Sequence, residues 1–250
     1  MFSIGADPEF FLKQGNKFVS SIGIIGGSKD NPRPYGSAGF AVLEDNVAVE
    51  FNIPPAHNHT QFINSIQEVL NKLHQEYPQF EFSTDSAAVF DKEELMHPAA
   101  MEFGCDPDYN VWTKEMNERP TASNKDLRSA GGHVHVGTEL DKIKVIKAMD
   151  LFLGVPSIKL DAGKLRRELY GKAGAFRPKD YGVEYRTLSN FWIFKESLIE
   201  WVYNQTEKAL KFVQSGNEIK DEQGKLIQDC INNSNENAYE TLIRTYQPLN

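Results

Sequence analysis

Apolar residues recur at every third and fourth position between Thr60 and Tyr77, where Phe62, Ile63, Ile66, Val69, Leu70, Leu73 and Tyr77 share one side of a helical wheel. That spacing predicts a helix over 60–77, with Asn58 or Thr60 available as its cap. A second stripe, Leu140, Ile143, Ile146, Met149 and Phe152, predicts a helix over about 138–153. A third, Leu198, Ile199, Val202, Ala209, Leu210 and Val213, predicts one over about 195–214. A weaker amphipathic stretch over about 222–246 closes the chain. Stripes of this width are the core-facing sides of helices packed on something flat.

Between the helical stretches the period drops to two. In "GGHVHVG", residues 131–137, His133 and His135 fall on one face of a strand and Val134 and Val136 on the other. The same design recurs three times. "GADPEFF" sets Asp7 and Glu9 against Ala6, Pro8 and Phe10; "VAVEFNIP" sets Glu50 and Asn52 against Val49 and Phe51; "YGVEYRTL" sets Glu184 and Arg186 against Val183 and Tyr185. Short alternating runs bounded by Gly and Pro predict antiparallel strands with one covered face. Residues 23–40, rich in Gly and Pro, predict a loop or hairpin system near the sheet edge. The expected architecture is a single α+β domain over 1–250, a mostly antiparallel sheet with helices on one side and a helical C-terminal part from about 195.

Composition narrows the function. Charged residues are 25% and hydrophobic ones 40% of the 250, ordinary for a soluble globular chain. A net charge of −8 disfavours a general binder of nucleic acid or anionic membrane, so neither is expected as a partner. No apolar run reaches the length of a membrane span, and "MFSIGADPEFF" lacks a basic region followed by an apolar segment, so a cytoplasmic location is expected. Cys105 and Cys230 fit neither a disulfide framework nor a zinc knuckle and read as reduced thiols.

The polar lines of the four strands hold Asp, Glu, Glu, Asn, His, His, Glu and Arg, where a solvated face would mix in Lys, Thr and Ser. Strands lie ~4.8 Å apart, so such pairs on adjacent strands bring four to six ligand atoms within reach of one or two cations. Left alone, the carboxylates would raise each other's pKa. With oxygen donors dominant and no Cys nearby, Mg²⁺ or Mn²⁺ is favoured; a zinc site from His133, His135 and one carboxylate is the alternative. Residues 159–186 carry eight basic and four acidic residues and run directly into the strand of Glu184 and Arg186. Cations beside arginines suit a polyphosphate, so a nucleoside triphosphate site is expected, although no phosphate-loop motif is present.

The order "GADPEFFL", "VEFN", "GGHVHVG" and "RRELYGKAGAFRPKDYGVEYRTLSNFW" resembles the phage-associated carboxylate-amine ligases (COOH-NH2 ligase type 2), within the glutamine synthetase and glutamate-cysteine ligase superfamily, over roughly residues 3–192. The resemblance implies a curved antiparallel sheet whose concave face binds Mg²⁺ and ATP, with helices on the convex side. It also implies roles. Asp7, Glu9, Glu50, Asn52, His133 and Glu184 match metal-binding positions, and His135 lies closer to the nucleotide phosphates. Arg177 and Lys179 match phosphate contacts, and Arg186 the arginine that stabilises the transferring phosphoryl group. Arg166 or Arg167 holds the acceptor carboxylate or the γ-phosphate. Asp7 and Asn52 depart from glutamine synthetase, which has carboxylates of other length there, but fit the phage-type relatives. The implied activity is ATP-dependent joining of a carboxylate to an amine through an acyl phosphate, by a monomer or small homo-oligomer. Its substrates would be small molecules, peptides or proteins. Asp106 or Asp108, in "GCDPDYNVW", is a candidate for the incoming ammonium. That segment or residues 23–40 would act as a lid. The competing readings are a metal-dependent hydrolase or cupin-like enzyme, which leaves the basic residues of 159–186 idle, and a non-catalytic virion or partner-binding protein, which predicts lost ligands.

Overall fold

The run "GADPEFF" does not form one strand: the chain turns a corner at Asp7–Pro8 and passes from one sheet to another. Pro8 has no N–H to give to a ladder, so a strand passing through it is interrupted there. In the computed structural model, which describes residues 2–101, 108–118 and 124–246, the elements begin with β1 (Ser3–Ala6), β2 (Glu9–Gln14), β3 (Lys17–Val19), β4 (Arg33–Pro34), β5 (Ala41–Asp45), β6 (Ala48–Asn52) and α1 (His59–Glu76). There follow β7 (Glu81–Ser83), β8 (Ala87–Val89), α2 (Pro98–Met101), β9 (Tyr109–Asn110), β10 (Leu127–Ser129) and β11 (Val134–Gly137). The last part holds α3 (Lys142–Met149), a π turn (Asp150–Gly154), α4 (Val155–Leu160), α5 (Lys164–Leu169), β12 (Ala175–Lys179), β13 (Gly182–Tyr185), α6 (Glu196–Gln214), α7 (Asp221–Asn233) and α8 (Glu236–Thr245).

One sheet has the order β1-β11-β13-β12-β9. The other runs β3-β2-β6-β5-β4, with β7 also paired to β2, and β8 pairs with β10 alone. Every strand pairing among the described residues is antiparallel. The two large sheets are sewn together at the Asp7 corner. Phe51 N–H donates to Pro8 O (3.2 Å), Ile53 N–H to Ala6 O (3.2 Å), and Ile4 and Ala56 exchange bonds of 2.9 and 2.8 Å. The result is one curled antiparallel surface, mixed with helices, as the alternation of the sequence predicts in coarse outline.

The apolar face of that surface is covered by helices. α1 turns Phe62, Ile63, Ile66, Val69 and Leu73 inward, and each such side chain contributes roughly 1.5–3 kcal/mol by leaving water. Phe62 stacks on Trp192 (centroids 5.9 Å apart, planes 15° apart). Val134, Val136, Val183, Tyr185, Val49 and Phe51 join the same core, which extends to Leu242 in α8. Asn58 is the cap of α1, accepting from Gln61 N–H (2.9 Å).

Two helical boundaries differ from expectation. The stripe over 138–153 begins only at Lys142, because Asp141 caps it by accepting from Lys144 N–H (3.0 Å), and it runs on through the π turn to Leu160. The stretch 222–246 is two helices: Ser234 adopts φ 50°, a left-handed stop, and Asn235 caps α8 by accepting from Asn237 and Ala238 N–H (3.0 and 3.2 Å). The 23–40 segment contains the edge strand β4, so it lies near the sheet edge as predicted. No helix among the described residues is long and apolar enough to cross a membrane.

Candidate active site

The pleat puts the polar members of β11, β12 and β13 in one row. His135 lies opposite Glu184, and Arg177 lies opposite Glu184 on the other side. Arg186 follows β13 on the same face and donates to Glu184 Oε1; its Nη1 lies 3.2 Å from His133 Nδ1. On the second sheet Glu9 lies directly opposite Glu50. The two sheets are clamped across this face by one reciprocal pair: Glu9 N–H donates to Gly131 O (2.8 Å), and Gly131 N–H donates to Glu9 Oε2 (2.8 Å). These rows converge on a cavity of about 240 Å³.

The double glycine before the histidines has a steric cause. A Cβ at Gly131 would lie 2.3 Å from His133 Nε2, and one at Gly132 would lie 2.2 Å from Ser189 O and 2.5 Å from Trp192 Nε1. Only bare backbone lets the imidazole fold back under its own strand while Trp192 Nε1–H donates to Gly132 O (3.3 Å).

Of the twelve predicted residues, Asp7, Glu9, Glu50, Asn52, His133, Arg177, Lys179, Glu184 and Arg186 all line this cavity. Within it the potential ligands form two groups, Asp7–His133–Glu184 and Glu9–Asp45–Glu50, each with ligand atoms mutually within 4.8 Å. Asp45 is an addition that the paired-polar pattern misses, because its i−2 neighbour on β5 is Leu43. A signal exists, in that Leu43 and Asp45 share the face of β5 that meets Glu50. Lys29, from the 23–40 segment, pairs with Asp45 (2.8 Å) and joins the lining with Pro32.

The remaining predicted residues are placed differently. His135 does not line the acidic cavity. Its Nε2 lies 2.9 Å from Asp7 Oδ1, its Nδ1 meets the Tyr181 hydroxyl, and with Tyr181 and Asn52 it lines a second, neighbouring cavity of about 330 Å³. Arg166 reaches the back of the site, donating to Thr187 O (3.2 Å) and Arg186 O (3.4 Å), with Nη2 3.0 Å from where a Gly131 Cβ would sit. Arg167 is not brought to the site. It is turned into the helices, where it pairs with Asp161 (3.1 Å) and donates to Ser157 O and Ser234 Oγ (3.3 and 3.2 Å). Adjacent residues on a helix point about 100° apart, so only one of the two faces the sheet. Asp108 sets Oδ1 2.7 Å from Arg186 Nε and 3.4 Å from Arg177 Nε, so arginines already compensate its charge on that side. Asp106 and Cys105 lie outside the described residues; Cys230 is a buried free thiol, pushed by burial up to about 12.

Electrostatics divides the two ligand groups. Burial raises the Glu9 carboxyl and Asp45 adds to it; burial raises Glu50 further, with Asp7, Glu9 and Asp45 in the same direction. In the other group, burial and Asp7 push Glu184 upward, but Arg186, His133 and His135 outweigh them and hold it at about 2. Burial likewise pushes Asp7 up, and His135 with His133 overcomes this to hold it well below the usual carboxylate range. One wall is therefore anionic and compensated by bases, while the facing wall carries crowded acids that a cation would relieve.

Residues 121–210 match the family model described as phage phiEco32-like COOH-NH2 ligase type 2. The resemblance to phage carboxylate-amine ligases, carried by the order of the motifs, thus holds over the stretch that contains His133, His135, Arg166, Arg177, Lys179, Glu184 and Arg186. Asp7, Glu9, Glu50 and Asn52 precede that stretch, and the fold delivers them to the same cavity. No curated protein matches the chain.

Proposed function

We propose that the protein is an ATP- and Mg²⁺-dependent carboxylate-amine ligase that works through an acyl phosphate. The observation that carries this reading is the single cavity in which two groups of oxygen and imidazole ligands face Arg177, Lys179 and Arg186. The family match supports the ligase class. The donor set fits hard divalent cations: five carboxylates and one imidazole, without sulfur, with Asn52 beside them. Asp7, His133 and Glu184 would hold one ion, and Glu9, Asp45 and Glu50 another. Mg²⁺ there supplies charge neutralisation for the phosphates of ATP.

The chain's own residues supply the rest. Arg177 and Lys179 stand on β12 and Tyr181 on the turn after it, in order from the acidic cavity toward the second one. That hairpin would carry the nucleotide, phosphates at Arg177 and Lys179 and nucleoside toward His135 and Tyr181. Lys179 Nζ, 2.9 Å from Glu184 Oε2, is held at the boundary. In the first step a substrate carboxylate oxygen attacks the γ-phosphorus and the bond to ADP breaks; Arg186 faces the charge that spreads over the phosphoryl oxygens, with Arg166 behind it. In the second step a neutral amine attacks the acyl carbon, the C–O bond to phosphate breaks, and a C–N bond forms as the nitrogen gives up one proton to the departing phosphate. Lys29 and Pro32, reaching in from the 23–40 segment, help keep water from the acyl phosphate.

The test is a thermal melt with Mg²⁺ and ATP, singly and together, beside Glu184→Ala and a Zn²⁺ control. Ligand at 100 times its Kd adds ~2.7 kcal/mol, or roughly 5 °C or more for a chain of this size. A rise that needs both Mg²⁺ and ATP and vanishes in Glu184→Ala supports the nucleotide site, and ADP release with carboxylate and amine pairs then tests ligation. A response to Zn²⁺ alone would overturn the reading.

A further inference from the structure

Asp150 is a carboxylate with no exposed surface, 0% accessible, on the π turn behind the active-site sheet, and no step of the proposed chemistry uses it. A buried charge is costly unless it is paired or hydrogen-bonded. Burial pushes this carboxyl up to about 7 in spite of four hydrogen bonds, from Trp112, Tyr185, Thr187 and the backbone of Gly174.

Its two oxygens serve different parts of the molecule. Oδ1 accepts from the Tyr185 hydroxyl (2.8 Å) and lies 3.4 Å from Thr187 Oγ1. Tyr185 and Thr187 are the residues immediately before and after Arg186, on the opposite face of the same segment. Oδ2 accepts from the Trp112 indole N–H (2.6 Å). Trp112 lies four residues after Asp108, just beyond β9. Asn110 Oδ1 accepts from Trp112 N–H (2.9 Å), and Val111 N–H donates to Gly174 O (3.0 Å). The two segments that Asp150 grips are thus the two that meet, on the other side of the sheet, in the Arg186 Nε to Asp108 Oδ1 pair at 2.7 Å. Asp150 opens the π turn, which holds one residue more per repeat than an α-helical turn, and its side chain is fully buried. Gly154, in the same turn, has no Cβ, which would lie 2.8 Å from the Tyr185 hydroxyl.

We infer that Asp150 is a positioning residue, which sets the aim of the Arg186 guanidinium by holding Tyr185 and Thr187 with one oxygen and the Asp108 segment, through Trp112, with the other. The placement of the pair is read from geometry alone. Only its consequence for nucleotide binding rests on the ligase reading.

The experiment follows the arginine Nε–Hε resonances by ¹H–¹⁵N spectroscopy, with that of Arg186 assigned by its loss in Arg186→Lys, together with Mg–ATP affinity and melting temperature. Asp150→Leu is expected to move or broaden the Arg186 signal and to weaken Mg–ATP at least tenfold. Asp150→Asn, which still accepts from Trp112 and donates to the Tyr185 oxygen, is expected to bring both back toward wild type. Trp112→Phe removes one arm alone and is expected to move the same signal, and it decides the matter should Asp150→Leu not fold. A folded Asp150→Leu or Trp112→Phe protein with the Arg186 resonance unmoved would overturn the inference. A wild type that does not bind Mg–ATP, with an Arg186 signal that still moves in the variants, would sink the ligase reading and support the positioning role.

Discussion

Arg166 and Arg167 are neighbours on one short helix, are both 3% exposed, and carry the same charge, yet their removal should have opposite consequences. Arg167→Met strips Asp161, itself buried, of its cation. Breaking a buried pair from one side costs about 3–5 kcal/mol, and the lower end applies because Ser189 Oγ–H and Gly163 N–H still donate to Asp161 (2.9 and 2.7 Å). The expected loss is about 3 kcal/mol, a fall in Tm of roughly 6–12 °C for a chain of this length. Arg166 has no carboxylate within hydrogen-bond distance among the described residues and donates only to two carbonyls. Burial holds its pKa down at about 10, against an ordinary 12.5. Removing that charge relieves its desolvation and gives up two charge-assisted hydrogen bonds of about 1.5 kcal/mol each, effects of opposite sign. Arg166→Met should leave stability within about 1 kcal/mol of wild type. Urea unfolding at pH 7 measures both losses, and ADP release at a temperature where both variants are folded reads the function. Arg166→Met is expected to lose at least tenfold in rate and Arg167→Met to keep most of it. Equal destabilisation by the two, or a stable Arg167→Met that is inactive, would refute the assignment of Arg166 to the site and Arg167 to the scaffold.

Asp150, with its folded pKa raised to about 7 from 3.8, binds more protons folded than unfolded between those values, so stability falls as pH rises through that window. The difference in unfolding free energy between wild type and Asp150→Asn should shift by about 2–3 kcal/mol against wild type from pH 5 to pH 8; parallel pH curves would count against it. Asp45→Asn removes one acid from the crowded group, and is expected to raise the melting temperature without metal and to cut the rise given by Mg²⁺; an unchanged Mg²⁺ response would remove Asp45 from the proposed ligands. Gly132→Ala forces a methyl to 2.2 Å from a backbone carbonyl. It should cost about 3 kcal/mol or more by strain in a packed core, seen as a lowered urea midpoint; a neutral result would show that the 132–189 contact is loose.

Period-two alternation makes the site strands legible because one face is buried so completely that Val134, Val136, Val183 and Tyr185 admit only one register. Nine of twelve predicted residues reach one cavity: Glu50, Asn52, His133, Glu184 and Arg186 by that alternation, Asp7 and Glu9 across the Pro8 corner, and Arg177 and Lys179 as the family resemblance implies. The exceptions have separate physical causes. Asp45 escapes because the neighbour sharing its face is apolar. Arg166 and Arg167 cannot be told apart in sequence because helix rotation, not composition, decides which one faces the sheet. His135 shares a face with His133, but the curl of the sheet near Asp7 directs it to the second cavity. The corner at Pro8 is readable in hindsight, since a proline within a strand pattern weakens the strand. The π turn leaves no trace in the hydrophobic stripe, because one extra residue disturbs the period only locally.

The reciprocal bonds between Glu9 and Gly131 join residues 122 positions apart. A ribosome adding ~5–20 residues per second releases the second partner roughly 6–25 seconds after the first. Until then Asp7, Glu9 and Glu50 lack the His133, Arg177 and Arg186 that share their cavity, and Asp45 has Lys29 alone. Closure of this long loop is an entropic barrier that local strands do not face. The two halves of the ligand set therefore come together only when the sheets do, and a nascent or partly folded chain holds no half-strength version of the site.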